Sequence, residues 1–223
     1  MTKTKQSAAA VAEELDVDTV MDHLQARRRE IAIGAIVVAV LATGVVLWRM
    51  SANQKDERAE RALTEATNAL YNGNRPLAAT ELQNVADRYR DTAAGVEAAM
   101  ILAQTDFEDA RWADGIKVLQ AARSSSAIEN FKAPLAGLMG GAYADLKKYD
   151  DAANEYQVAS DAASFPAAKD TYQADQARVL ALGGKKDQAR KIWESLAAKP
   201  ESPSVAEAKV RLGELNAAPA GKN

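Results

Sequence analysis

Residues 133–166, "APLAGLMGGAYADLKKYDDAANEYQVASDAASFP", decide the fold. They divide into two helical runs, "APLAGLMGGAYADLKKY" and "DDAANEYQVASDAASFP", with no strand-like alternation in either. Small residues (Gly140, Ala152, Ala159) and bulky ones (Tyr143, Tyr149, Tyr156) interleave along them. The small ones let two helices approach closely, and the bulky ones plug the gap to whatever packs next.

Outward from this pair, the chain repeats it. Downstream, "AAKDTYQADQARVLALGG" leads into "KKDQARKIWESLAAKP", with Ala177, Leu180, Ala189 and Trp193 in the corresponding places and Pro200 near the exit. Upstream, "TAAGVEAAMILAQTDFEDARW" and "ADGIKVLQAARSSS" supply Ala103, Trp112, Gly115, Leu119 and Ala122. A first pair ends one helix at Gly73–Asn74 and begins the next near Pro76. Its Thr67, Leu70, Ala79 and Ala86 make it the most degenerate. The small anchors Ala79, Gly115, Ala152 and Ala189 recur about every 37 residues, and the extra length sits in inter-pair turns such as "RSSSAIENFKA". These spacings resemble the tetratricopeptide consensus. Ser204–Asn216 reads as the solvated helix that closes such an array. The expected fold is all-α: one N-terminal transmembrane helix, then a tetratricopeptide-repeat-like α-solenoid.

The transmembrane reading rests on Ile31–Trp48, eighteen residues without a charged side chain. At ~1.5 Å per residue they span roughly 27 Å, near the hydrocarbon thickness of a bilayer. Ten Ile, Val and Leu side chains favour insertion by some 3–6 kcal/mol in total. A cleaved signal peptide is disfavoured, because the preceding thirty residues carry six acidic groups. With no Cys in the chain, lipoprotein-type attachment is excluded. Arg27, Arg28 and Arg29 abut the N-terminal end and Arg49 the other, so the N-terminus is expected inside, a bias that Lys55, Arg58 and Arg61 weaken. Ala35, Ala39 and Thr43 form a small-residue face suited to helix packing in the membrane. The expected domains are a head over 1–30, the anchor over 31–48 and the repeats over 49–223. Within the head, Val17, Val20, Met21 and Leu24 fall at helical spacing, fitting a helix that lies on the membrane or docks a partner.

Composition excludes several function classes. Five of the 28 basic and six of the 31 acidic residues precede residue 49, leaving 23 against 25 in the repeats. That near-neutral balance suits neither nucleic acid nor a polybasic membrane patch. The only His, His23, precedes the anchor, so His–Cys metal sites and Ser–His or Cys–His catalytic pairs are not expected in the repeats. Glu108–Asp109 and Asp150–Asp151 are adjacent pairs whose side chains diverge by about 100° on a helix, an ordinary solvated arrangement. No enzyme, cofactor or metal is expected.

A binding groove is expected instead, lined by the first helix of each pair. The register assigns it Arg61, Asn68 and Tyr71 from the first pair, Glu97, Met100, Gln104, Phe107 and Glu108 from the second, and Arg178 from the fourth. The third offers Gly137, Gly141, Ala144 and Asp145, a shallow stretch open to a bulky partner. Phe107 and Met100 stand nearest its centre, and the basic clamp by which some tetratricopeptide domains grip a peptide carboxylate is missing.

Taken together, an acidic head, one anchor and degenerate repeats resemble the YfgM-like family of bacterial inner-membrane proteins, most clearly over residues 90–122. That resemblance implies an ancillary subunit of the Sec translocon in the inner membrane, its C-terminal domain in the periplasm, linking the channel to periplasmic chaperones or emerging chains. The other expectation is a structural accessory subunit of a different membrane complex, energy-converting or envelope-assembling.

Overall fold

The structure, a computed structural model, describes residues 28–217. The expected head helix on Val17–Leu24 lies outside the described residues. The described chain is helical throughout, with no strand among its residues. In chain order the α-helices are α1 (Arg28–Tyr71), α2 (Arg75–Arg88), α3 (Ala93–Glu108), α4 (Trp112–Ala122), α5 (Lys132–Asp145), α6 (Tyr149–Ala162), α7 (Pro166–Leu182), α8 (Lys186–Ala197) and α9 (Val205–Ala217). A 3-10 turn, Ile128–Phe131, precedes α5.

The residues divide into two compact units, one up to Asn53 and one from Gln54. In the first, the helical stretch from Ala32 is long and apolar enough to cross a membrane, and none of its apolar window is buried. Ile33, Val38, Val40, Leu41 and Leu47 are all exposed.

The second unit repeats one turn four times. Gly73, Ala110, Lys147 and Gly184 each adopt a left-handed conformation, 37 residues apart. At each, the next residue's amide closes a long bond back into the helix: Asn74 to Ala69 at 2.9 Å, and Arg111 to Asp106, Lys148 to Tyr143 and Lys185 to Leu180 at 2.8 Å. This is the Schellman ending, which satisfies carbonyls that a helix C-terminus otherwise leaves unpaired. Two of the four sites carry glycine, which adopts this conformation without a Cβ clash; Ala110 and Lys147 hold it with one.

That step fixes the register. Ala66, Ala103, Gly140 and Ala177 are equivalent and buried, as are Val85, Ala122, Ala159 and Leu196. The small anchor of the first pair is Ala78, fully buried, and not Ala79, which is half-buried. Two adjacent alanines give the same small-residue signal, and only the turn at Gly73 distinguishes them.

Between pairs, Thr92 caps α3 by accepting from the Gly95 amide at 3.1 Å, while its own hydroxyl donates to the Tyr89 carbonyl at 2.8 Å. A Cβ at Gly95 would collide with that same carbonyl. In the connector "RSSSAIENFKA", buried Ser125 donates to the Arg90 carbonyl at 2.5 Å and accepts from the Ala127 amide. Three apolar clusters follow one another along the array. Val118 packs against the first two and Tyr143 against the last two, so the core is continuous. In α9 only Ala208 is buried, which leaves the closing helix solvated.

Candidate functional site

A cavity opens between the second and third pairs. It measures about 820 Å³ and is lined from α3 by Met100, Gln104, Phe107 and Glu108. Trp112 contributes from α4, Tyr172 from α7, and Pro134, Gly137, Leu138, Gly141, Ala142 and Asp145 from α5.

Its shape follows from what the glycines omit. At Gly141 the space where a side chain would project is open, the nearest atom to an added Cβ being the Tyr156 hydroxyl at 3.7 Å. At Gly137 a Cβ would meet the Tyr172 ring at 2.7 Å, so that tyrosine reaches back from the fourth pair to form one wall. The opposite wall is the Phe107 ring, stacked on Trp112 with centroids 5.6 Å apart. Phe107 also lies over Gly115, where a Cβ would collide with it. It is therefore partly structural, and Phe107→Asp would loosen α3 against α4 as well as alter the cavity.

The cavity's polarity is one-sided. Glu108 and Asp145 are its only charged lining residues. Glu108 accepts from Arg75 at 3.1 Å, and Arg75 also reaches Asp109 at 3.0 Å. Arg111 in turn binds Asp109 at 2.7 Å and the nearly buried Asp106 at 2.6 Å. Asp145 is exposed and takes part in none of the ion pairs among the described residues. Burial raises the Tyr172 hydroxyl's pKa and pushes Tyr156 up to about 12, with the Asp175 carboxylate adding to both. Both tyrosines stay protonated and can donate.

The expected groove residues separate into those the cavity gathers and those it does not. Met100, Gln104, Phe107 and Glu108 line it with Gly137, Gly141 and Asp145, while Ala144 is half-buried beside them. Glu97 is exposed on α3 but not in the lining. Arg61 pairs with Glu57 on its own helix, Asn68 is exposed, and Tyr71 protrudes at 87% exposure. The 37-residue step makes Arg61 and Asn68 equivalent to the buried Ala98 and Thr105, so both lie outside the groove register. Arg178 is engaged elsewhere: it binds Asp175, and it holds Glu207 of α9 through two bonds, at 2.7 and 2.5 Å. It lines a smaller cavity of about 340 Å³ with Leu182, Lys186, Trp193 and Arg211. Sequence reasoning did not assign Tyr172, Leu138 or Pro134 to the site. The usable signal for Tyr172 was Gly137, the glycine it faces. Ala39 is exposed on α1, and the exposed Thr43 donates to the Ala39 carbonyl at 2.8 Å. Among the described residues no group of acidic side chains is placed to hold a metal ion.

Comparison with known proteins bears on the fold. A family model described as a tetratricopeptide repeat-like domain matches residues 23–217. No curated protein matches. Among solved structures, a crystal structure of MamA is similar with a TM-score of 0.54 at 16% identity, covering 67% of this chain and 81% of that one. A putative kinesin light chain from Podosopora anserina with nearly identical TPR-like repeats is similar with a TM-score of 0.54 at 14% identity, covering 71% of this chain and 85% of that one. At these identities the likeness is one of fold, and no enzymatic family is indicated.

Proposed function

Because the chain belongs to the tetratricopeptide repeat-like domain family, whose members characteristically bind other proteins, we propose that it is a membrane-anchored protein–protein interaction module. In this reading residues 1–30 form a cytoplasmic head, 31–48 cross the bacterial inner membrane, and 49–223 form a periplasmic binding domain. One observation carries it: the open cavity lined by Met100, Gln104, Phe107 and Glu108 presents apolar walls and polar edges with room for a partner's side chain. The exposed apolar surface from Ile33 to Leu47 supports the anchor, since burial against protein would hide it and lipid would cover it. Anchoring holds the cavity close to chains that leave the membrane and raises its effective concentration for them. The resemblance to YfgM-like proteins makes the Sec translocon, with periplasmic chaperones or emerging chains as ligands, the specific assignment.

The test is recovery of the full-length protein from its native membrane in mild detergent, followed by mass spectrometry. The reading expects Sec channel subunits and periplasmic chaperones, with the chaperones reduced by Gly141→Leu, which fills the cavity. Recovery of a different membrane complex in fixed stoichiometry, insensitive to Gly141→Leu and lost on mutating Ala35, Ala39 and Thr43, would instead make the protein a structural accessory subunit of that complex.

A further inference from the structure

We infer, on the premise that this cavity is the docking site, that its occupant is an extended peptide segment carrying a bulky apolar side chain next to a lysine or arginine. The apolar half of that specification comes from the walls. Met100, Phe107, Trp112, Leu138 and Tyr172 offer sulfur and aromatic surface, and Gly141 leaves open the space a side chain would occupy. Methionine and aromatic walls adapt to several apolar shapes, so Leu, Phe or Met would each be accommodated.

The basic half comes from charge. No Lys or Arg lines the cavity, and both of its charged groups are carboxylates. Around Glu108 the bonded chain of charges runs Glu108–Arg75–Asp109–Arg111–Asp106, three carboxylates against two guanidiniums. Exposed Asp145 adds a further negative charge on the α5 side, without an ion-pair partner among the described residues. Counted over the lining and the side chains bonded to it, carboxylates outnumber guanidiniums by two, an excess that a cation on the ligand neutralises and a carboxylate aggravates. A free peptide C-terminus meets the same repulsion. Gln104, exposed at the cavity edge, can donate to and accept from the backbone of an extended segment.

The experiment uses the full-length protein in detergent and fluorescent nonapeptides with blocked ends, identical except at two central residues: Leu–Lys, Leu–Ser, Leu–Glu or Ser–Lys. Binding is read by anisotropy, and Gly141→Leu defines the signal that comes from the cavity. The expected order of affinity is Leu–Lys, then Leu–Ser, then Leu–Glu, with Leu–Lys at least about fivefold tighter than Leu–Glu. Asp145→Asn combined with Glu108→Gln should compress that ratio toward one, and added salt should compress it in the unaltered protein. Equal binding of Leu–Lys and Leu–Glu, or a ratio that survives removal of both carboxylates, overturns the charge assignment while leaving the cavity as a docking site. Tight Ser–Lys binding overturns the apolar half. If no Leu peptide gives a signal sensitive to Gly141→Leu, the docking reading itself fails and this inference falls with it.

Discussion

Gln104, Gly141 and Arg178 occupy one position of the repeat in three successive pairs, yet their surroundings differ. Gln104 and Gly141 border an open cavity of about 820 Å³. Arg178 bridges to Glu207 on the closing helix and borders, with the buried Trp193, a cavity of only about 340 Å³. The backbone turn is the same at each step, so side-chain size and partner decide which part of the face stays open. Gly141 withholds the side chain that would fill the middle, whereas Arg178, tied to Glu207, narrows the end to that smaller cavity.

The first way to break this contrast is to remove its two aromatic supports in turn. Trp193→Ala deletes a fully buried ring and should lower unfolding free energy by about 3–5 kcal/mol, whereas Phe107→Ala, at the cavity wall, should lower it by roughly 1–2 kcal/mol. Chemical denaturation followed by circular dichroism measures both. Equal losses would mean that the cavity wall is packed as tightly as the core.

Glu207→Gln releases the clamp on Arg178 at the C-terminal end. Hydrogen bonding from Arg178 lowers the Glu207 pKa, so its stabilisation is complete above the ordinary glutamate value of about 4.5 and is lost as pH falls through the lowered one. Burial raises Asp175, which acts in the opposite sense and gains stability as pH falls. The variant should therefore be less stable at neutral pH, by up to about 1 kcal/mol after solvent screening. Its melting curve should approach that of the parent in acid. A gap that persists below the lowered Glu207 pKa would show that the ion pair is not its source.

Two smaller changes sharpen the contrast on the open side. Gly141→Ala adds a Cβ at ordinary contact distance inside a helix and should stabilise by about 0.5–1 kcal/mol. Gly137→Ala should not, because its Cβ meets Tyr172. Ala110→Gly and Lys147→Gly relieve the left-handed backbone of the two turns that flank the cavity, each by roughly 0.5 kcal/mol net of the entropy glycine loses. Thermal denaturation of the four variants separates these signs.

Much of this architecture was legible in the sequence because it is written in small residues. Gly115, Ala152 and Ala189 mark the helix crossings directly, and all are buried. The first pair was misaligned by one residue because Ala78 and Ala79 are chemically identical neighbours. Placing Arg61 and Asn68 on the groove inherited the same misalignment. Arg178 was assigned to the groove because its position along α7 is legible, whereas Glu207 reaching it from α9 is a tertiary fact. Tyr172 went unassigned for a related reason, since its place depends on the absence of a side chain at Gly137 in the preceding pair.

The central claim is that the larger middle cavity, and not the smaller one at the end, receives the partner. The most direct measurement places a photo-crosslinking amino acid at Met100 or at Lys186, one in each cavity, in the full-length protein in its native membrane. The account predicts polypeptide adducts from position 100 that disappear when Gly141→Leu is introduced, and few from position 186. Equal adducts from both positions, or adducts at 100 that survive Gly141→Leu, would contradict it.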